Sequence, residues 1–159
     1  GAGAPISAIT ASEEIMDSVI PGTIGGTYCG NPLSCAAALK TMEIYKRDDY
    51  PAKARHIGDV VRTRFESFKE KYEVVGDVRG MGAMLGVEFV KDKGSKEPYP
   101  ELVSKLISCA LQKGLLLENA GSAGNGIRFL APLCMTDAQM EAGLKIYEEA
   151  LVEAMESLK

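Results

Sequence analysis

The chain has 159 residues, 46% hydrophobic and 25% charged, and its 18 basic against 22 acidic side chains leave a formal charge of −4 with a pI near 5.1. That length suits about one domain with a real core, and the composition excludes a disordered, collagen-like or coiled-coil chain. The mildly acidic balance argues against a broad nucleic-acid or anionic-membrane surface, so neither is expected as a partner, although one local cationic pocket stays open.

The opening GAGAPISAIT lacks the basic and long apolar regions of a signal peptide. No run approaches the roughly 18 uninterrupted apolar residues of a membrane span. Thr10 and Glu13 match a capping box, which predicts a short helix over 11–19. PGTIGG, residues 21–26, is four-sixths Gly and Pro and must be irregular. Asn31 as N-cap and Pro32 at the first helical position open a helix running to about Arg47, apolar most of the way round and expected to be heavily buried. Pro51 opens the next, where Ile57, Val60, Val61, Arg64, Phe65, Phe68 and Tyr72 fall on one stripe of 3.6 period.

Val74 to Arg79 reads as extended, and Ala83, Leu85, Val87 and Phe89 alternate with their neighbours as a strand does. After a polar loop over 91–100 comes a helix from about Glu101 to Lys113, stopped by Gly114. Segments 115–118 and 127–130 read as two strands around NAGSAGNG, and Thr136 with Gln139 caps a last helix whose Met140, Leu144, Tyr147, Leu151, Met155 and Leu158 share a face. From residue 50 onward this is an α+β layer, an antiparallel sheet of about three strands with helices on one face. Residues 1–31 do not fit that layer and look like a strip of another domain, joined to domain 50–159 by a linking helix over 32–49.

The chemistry-bearing candidates are few. The single His56 excludes zinc sites built on several imidazoles. It sits among charged residues and reads as a solvated helix-face side chain. Cys29, Cys35, Cys109 and Cys134 form no CxxC pair, so no metal is expected; they read as reduced, cytosolic and mostly packed, Cys29 included. GGTYCGNP, residues 25–32, is either a tight loop with a capping Asn or a phosphate cradle of backbone N–H groups and a Thr hydroxyl before a helix start. Arg128, alternating with Ile127 and Phe129, is either a surface side chain at a sheet end or a planar clamp for a carboxylate. Arg79 reads as an ion-pair partner of Asp77 or Glu88, and the acidic stretch Glu141 to Glu156 as a solvated face.

Taken together, GGTYCGNPLSCAAAL, GDVRGMGAMLGVEF and LLLENAG…GNGIRFLAPL followed by MTDAQM resemble the C-terminal part of the class III, fold type I aminotransferases, with wording nearest the 4-aminobutyrate enzymes and the acetylornithine and ornithine enzymes next. The resemblance implies pyridoxal 5'-phosphate (PLP) as cofactor, amino-acid and 2-oxo-acid substrates, and a homodimer in the cytoplasm. It implies that Gly26 and Thr27 contact the cofactor phosphate of the neighbouring subunit and that Arg128 binds the substrate carboxylate. The family's Schiff-base Lys lies before the segment matching GAGAPI. None of Lys40, Lys46 or Lys53 has a matching context, so no catalytic residue is assigned and the chain is expected to be an inactive fragment. A stand-alone α+β interaction module is the non-enzymatic alternative.

Overall fold

A computed structural model describes residues 2–158, which fall into two compact units, Gly1–Tyr50 and Pro51–Lys159. Gly1, where the expected strip 1–31 begins, lies outside the described residues.

The first unit contains α1 (Glu13–Asp17) and α2 (Pro32–Arg47). The helix expected over 11–19 is shorter, and its N-cap is Ser12 rather than Thr10, with no side-chain capping bond. At α2 the expected start holds: the Asn31 side chain accepts from the Leu33 N–H, and Pro32 loses nothing at a position where an N–H has no partner. The expected burial of α2 does not. Ser34 is its only residue in the buried class, while Leu33, Leu39, Met42 and Tyr45 are exposed.

The second unit carries α3 (Tyr50–Lys71, whose first residue closes the other unit), β1 (Val75–Met81), β2 (Met84–Phe89), α4 (Pro100–Gln112), β3 (Glu118–Ala120), β4 (Gly126–Leu130) and α5 (Asp137–Glu156). The sheet has four antiparallel strands in the order β1-β2-β4-β3. This is the α+β layer expected, with one strand more. Segment 115–117 is not strand, and β3 begins only at Glu118.

Alternation sends Leu85, Val87, Phe89 and Ile127 to one face, where they meet Ile57, Val61, Phe65 and Phe68 of α3, Leu102 and Leu106 of α4, and Leu144, Tyr147 and Leu151 of α5 in one core. A register shift between Val75 and Asp77 puts Val75 and Val78, three apart, on that same face. The α3 stripe is buried at its centre, although Val60 and Arg64 sit on its rim. Phe65 contacts Tyr147 at 5.1 Å and Phe129 edge-on at 6.1 Å between ring centroids. The Tyr147 hydroxyl is buried with no hydrogen-bond partner among the described residues, and burial pushes its pKa up. Gly58 of α3 lies against the β1–β2 turn so closely that a Cβ there would meet the Gly82 carbonyl oxygen at 2.2 Å.

Surface pairs tie the helices together. Arg64 bonds Glu141, Lys71 and Tyr72 share Glu148, Lys113 reaches Glu153, and His56 lies 2.8 Å from Asp137. In the acidic stretch of α5, expected to be a solvated face, Glu141 and Glu153 stay exposed and, with Glu148, also pair with basic side chains. The Thr136–Gln139 capping box forms as expected. No described helix is long and apolar enough to cross a membrane.

Candidate functional site

The face of the sheet turned away from the core is open and chemically ordered. Register alignment places three rows across it. Asp77 and Glu88 form an acidic row that continues to Gly126; Arg79, Gly86, Arg128 and Glu118 form a row with both arginines; Met81, Met84 and Leu130 form an apolar row. Directly opposed residues share a face, so these side chains stand on one surface.

The two arginines differ in how they are held. Arg79 bonds both Asp77 and Glu88 through Nη1, and Lys69 reaches Asp77 from the other side. Pairing with Glu88, then Asp77, holds the Arg79 guanidinium above its ordinary pKa. Partial burial pushes Asp77 up, yet Arg79 and Lys69 outweigh it and hold that carboxyl below its usual range. The expected ion-pair role of Arg79 is what the structure shows. Arg128 makes one such contact, Nη2 to Glu118 Oε2 at 2.6 Å, and its side chain is 49% exposed. Its Nε and Nη1 groups donate to no acceptor among the described residues, so most of the planar fork stays available to a ligand carboxylate.

Gly26 and Thr27 belong to the first unit, in the exposed loop that ends at the N-cap Asn31. The chain turns here through Cys29 N–H to Gly26 carbonyl and Asn31 N–H to Tyr28 carbonyl bonds. The N–H groups of Gly25, Gly26, Thr27 and Tyr28 and the Thr27 hydroxyl bond nothing among the described residues. Gly25 has φ +151°, which a side chain rarely adopts, whereas a Cβ at Gly26 would meet only Cys29 Sγ at 3.8 Å. Packing within the chain therefore does not require glycine at 26, and close approach of a ligand to the backbone would. Solvent-facing N–H donors with no partner in the chain, a hydroxyl and a glycine with open space fit a phosphate. Cys29, expected to be packed, is exposed; Cys109 is the buried thiol, and burial first of all raises its pKa.

Sequence reasoning missed Glu118 and the Met81–Met84–Leu130 row. Both depend on which strands pair and in what register, and a single strand's alternation does not carry that.

Residues 1–151 match the family model described as Aminotransferase class-III. The chain is 39% identical over 96% of its length to 5-aminovalerate aminotransferase DavT of Pseudomonas aeruginosa, covering 36% of that protein. It is 37% identical over 96% of its length to 4-aminobutyrate aminotransferase GabT of Escherichia coli, again covering 36%. Among solved structures, a transaminase from the marine bacterium Virgibacillus superposes with a TM-score of 0.79 at 25% identity over 91% of this chain and 34% of that one. A phospholyase from Arthrobacter in complex with phosphoethanolamine superposes with a TM-score of 0.75 at 30% identity, over 81% of this chain and 31% of that one. The chain spans about a third of the length of the curated relatives it matches.

Proposed function

The chain belongs to the class III aminotransferases, and we propose that the whole protein moves an amino group from an ω-amino acid of the 4-aminobutyrate or 5-aminovalerate kind to 2-oxoglutarate. The names of the relatives support the reaction type and the donor class. The observation that carries the reading in this chain is Arg128, a half-exposed arginine on a rigid strand with free donors directed away from the core. Both donors and 2-oxoglutarate carry a carboxylate for it to hold. The phospholyase neighbour shows that the fold alone does not fix the reaction, so the assignment rests on the site and on the relatives.

PLP, when bound, carries the amino group and draws electrons from the adjoining carbon. This chain's part is to hold and orient. The Gly26 and Thr27 N–H groups and the Thr27 hydroxyl hold the phosphate, in the partner subunit of a homodimer. Arg128 fixes the substrate carboxylate and so sets which end of the substrate reaches the cofactor. Residues 1–31 belong to a larger PLP-binding domain, the helix over 32–49 links them to the rest, and 50–159 form the small domain. The 159 residues alone do not turn over, because no lysine among them stands in the family's context for the covalent anchor. Four free thiols suit a reducing compartment, and we place the protein in the cytoplasm.

Arg128→Gln in the whole protein tests this reading. Loss of charged hydrogen bonds to a carboxylate should raise KM for 4-aminobutyrate and 2-oxoglutarate by about ten- to a hundredfold. Unchanged steady-state KM values would overturn the assignment of Arg128.

A further inference from the structure

We propose that Gly86 determines which donors the site accepts, as the bare floor over which the methylene chain of an ω-amino acid runs once Arg128 holds its carboxylate. This rests on the reading of Arg128 as the carboxylate ligand and deepens it, since it names the residue that sets the length of chain admitted.

Of the four glycines in the described strands, three are explained by the chain itself. A Cβ at Gly76 would meet Val90 Cγ1 at 2.9 Å, and one at Gly126 would meet the Ala120 carbonyl oxygen at 3.0 Å. Gly80 has φ +139°, with the Met84 carbonyl oxygen where its Cβ would stand. Gly86 has neither reason. Its φ lies outside the left-handed region, and a Cβ there would meet only the Arg79 carbonyl oxygen, at 3.9 Å. Glycine inside a strand weakens it and packs nothing. Where its own chain does not require it, it marks a place where a ligand or another backbone comes close.

The surroundings favour the ligand. Gly86 is the direct partner of Arg79 on β1 and of Arg128 on β4, on the open face. Neither arginine is tied across it. Arg128 bonds Glu118, which lies on β3, on the side of β4 away from Gly86. Arg79 bonds Asp77 and Glu88, in the adjoining row. With neighbouring strands about 4.8 Å apart, the backbones of the two arginines stand roughly 10 Å apart, which leaves a slot one alkyl chain wide. The apolar row Met81, Met84 and Leu130 borders it. Free donors on one wall, an apolar border and no side chain on the floor suit a carboxylate that carries an unbranched methylene chain.

An ω-amino acid fixed at its carboxylate by Arg128 must still bring its nitrogen to one point. An added methylene then has to bulge sideways, and the bare backbone at 86 is where it goes. One methylene in a fitted site changes kcat/KM by about 10- to 200-fold. The whole protein should therefore accept both 4-aminobutyrate and 5-aminovalerate. Gly86→Ala should lower kcat/KM for both, by about tenfold more for 5-aminovalerate, and Gly86→Val should widen that gap. A urea melt of each variant shows whether folding has suffered, and the ratio of the two donors decides. An unchanged ratio overturns the role of Gly86; with a lowered midpoint, it means that another part of the protein packs on this glycine. A parent that turns over 4-aminobutyrate and not 5-aminovalerate overturns it too. If the ratio stays put while Arg128→Gln raises KM for both donors, the slot falls and Arg128 stands. If Arg128→Gln itself leaves KM unchanged, both fall together.

Discussion

The two units put apolar residues to different use. In Pro51–Lys159 they recur at helix and strand periods that face each other, and 22 of them close into one core. In Gly1–Tyr50 they are as frequent to the eye but stay at the surface, with Ile9, Ile20, Ile24, Tyr28, Leu33 and Leu39 all more than half exposed. The unit with the core offers a stiff sheet on which Arg128 is fixed by register. The unit without one offers a glycine loop whose donors are unused. The core thus lies in one unit while the candidate ligand donors are spread over both, Arg128 in the unit with the core and Gly26 and Thr27 in the other, and substitutions should separate stability from binding in the latter.

The largest effect should come from the core. Phe65 is 1% exposed and touches Phe68, Phe129 and Tyr147, rings from α3, β4 and α5. Phe65→Ala removes the shared member of that cluster and should cost about 3–5 kcal/mol, read as a lowered urea midpoint. A loss below about 1 kcal/mol would mean the core is not the source of stability that its burial implies.

How much of this was legible in the sequence follows from range. Most features fixed within a few residues were readable: the Asn31–Pro32 helix start, the α3 stripe, the Thr136–Gln139 box, the Gly114 stop; the Thr10–Glu13 box was not, since Ser12 takes the cap of α1. The strand over 84–89 was readable because its partner face is buried and alternation reports burial. Residues 115–117 misled because an apolar run there lacks a ladder partner, and pairing is set by strand order. The burial of α2 was misjudged for a related reason. An apolar helix reveals what it can cover and not whether anything covers it. For the site, Arg128 stood out as a cation in an apolar strand after a glycine loop. Glu118 did not, because its importance comes from lying across a ladder ten residues distant.

Thr27→Val sharpens the comparison from the other side. Its hydroxyl bonds nothing among the described residues and the residue is exposed, so folding should not register its loss. If Thr27 holds the cofactor phosphate, one charged hydrogen bond disappears, and PLP affinity of the whole apoprotein should fall about tenfold. The measurement is a fluorescence titration with PLP beside a urea melt. Loss of midpoint with unchanged affinity would reverse the division between the units and place Thr27 in packing.

Leu39→Ala should have the smallest effect. Leu39 projects from the middle of α2 at 60% exposure. Exposed leucine contributes little by burial, and alanine is at least as good a helix former, so the change in the 159-residue chain should stay within about 0.5 kcal/mol. The same substitution in the whole protein tests the proposal that α2 joins a larger domain. A leucine covered there would cost about 2–3 kcal/mol when truncated. Equal, small effects in both settings would show that α2 keeps its apolar side in water throughout, and the contrast between the units would then be intrinsic to the sequence and not a consequence of the length of chain around it.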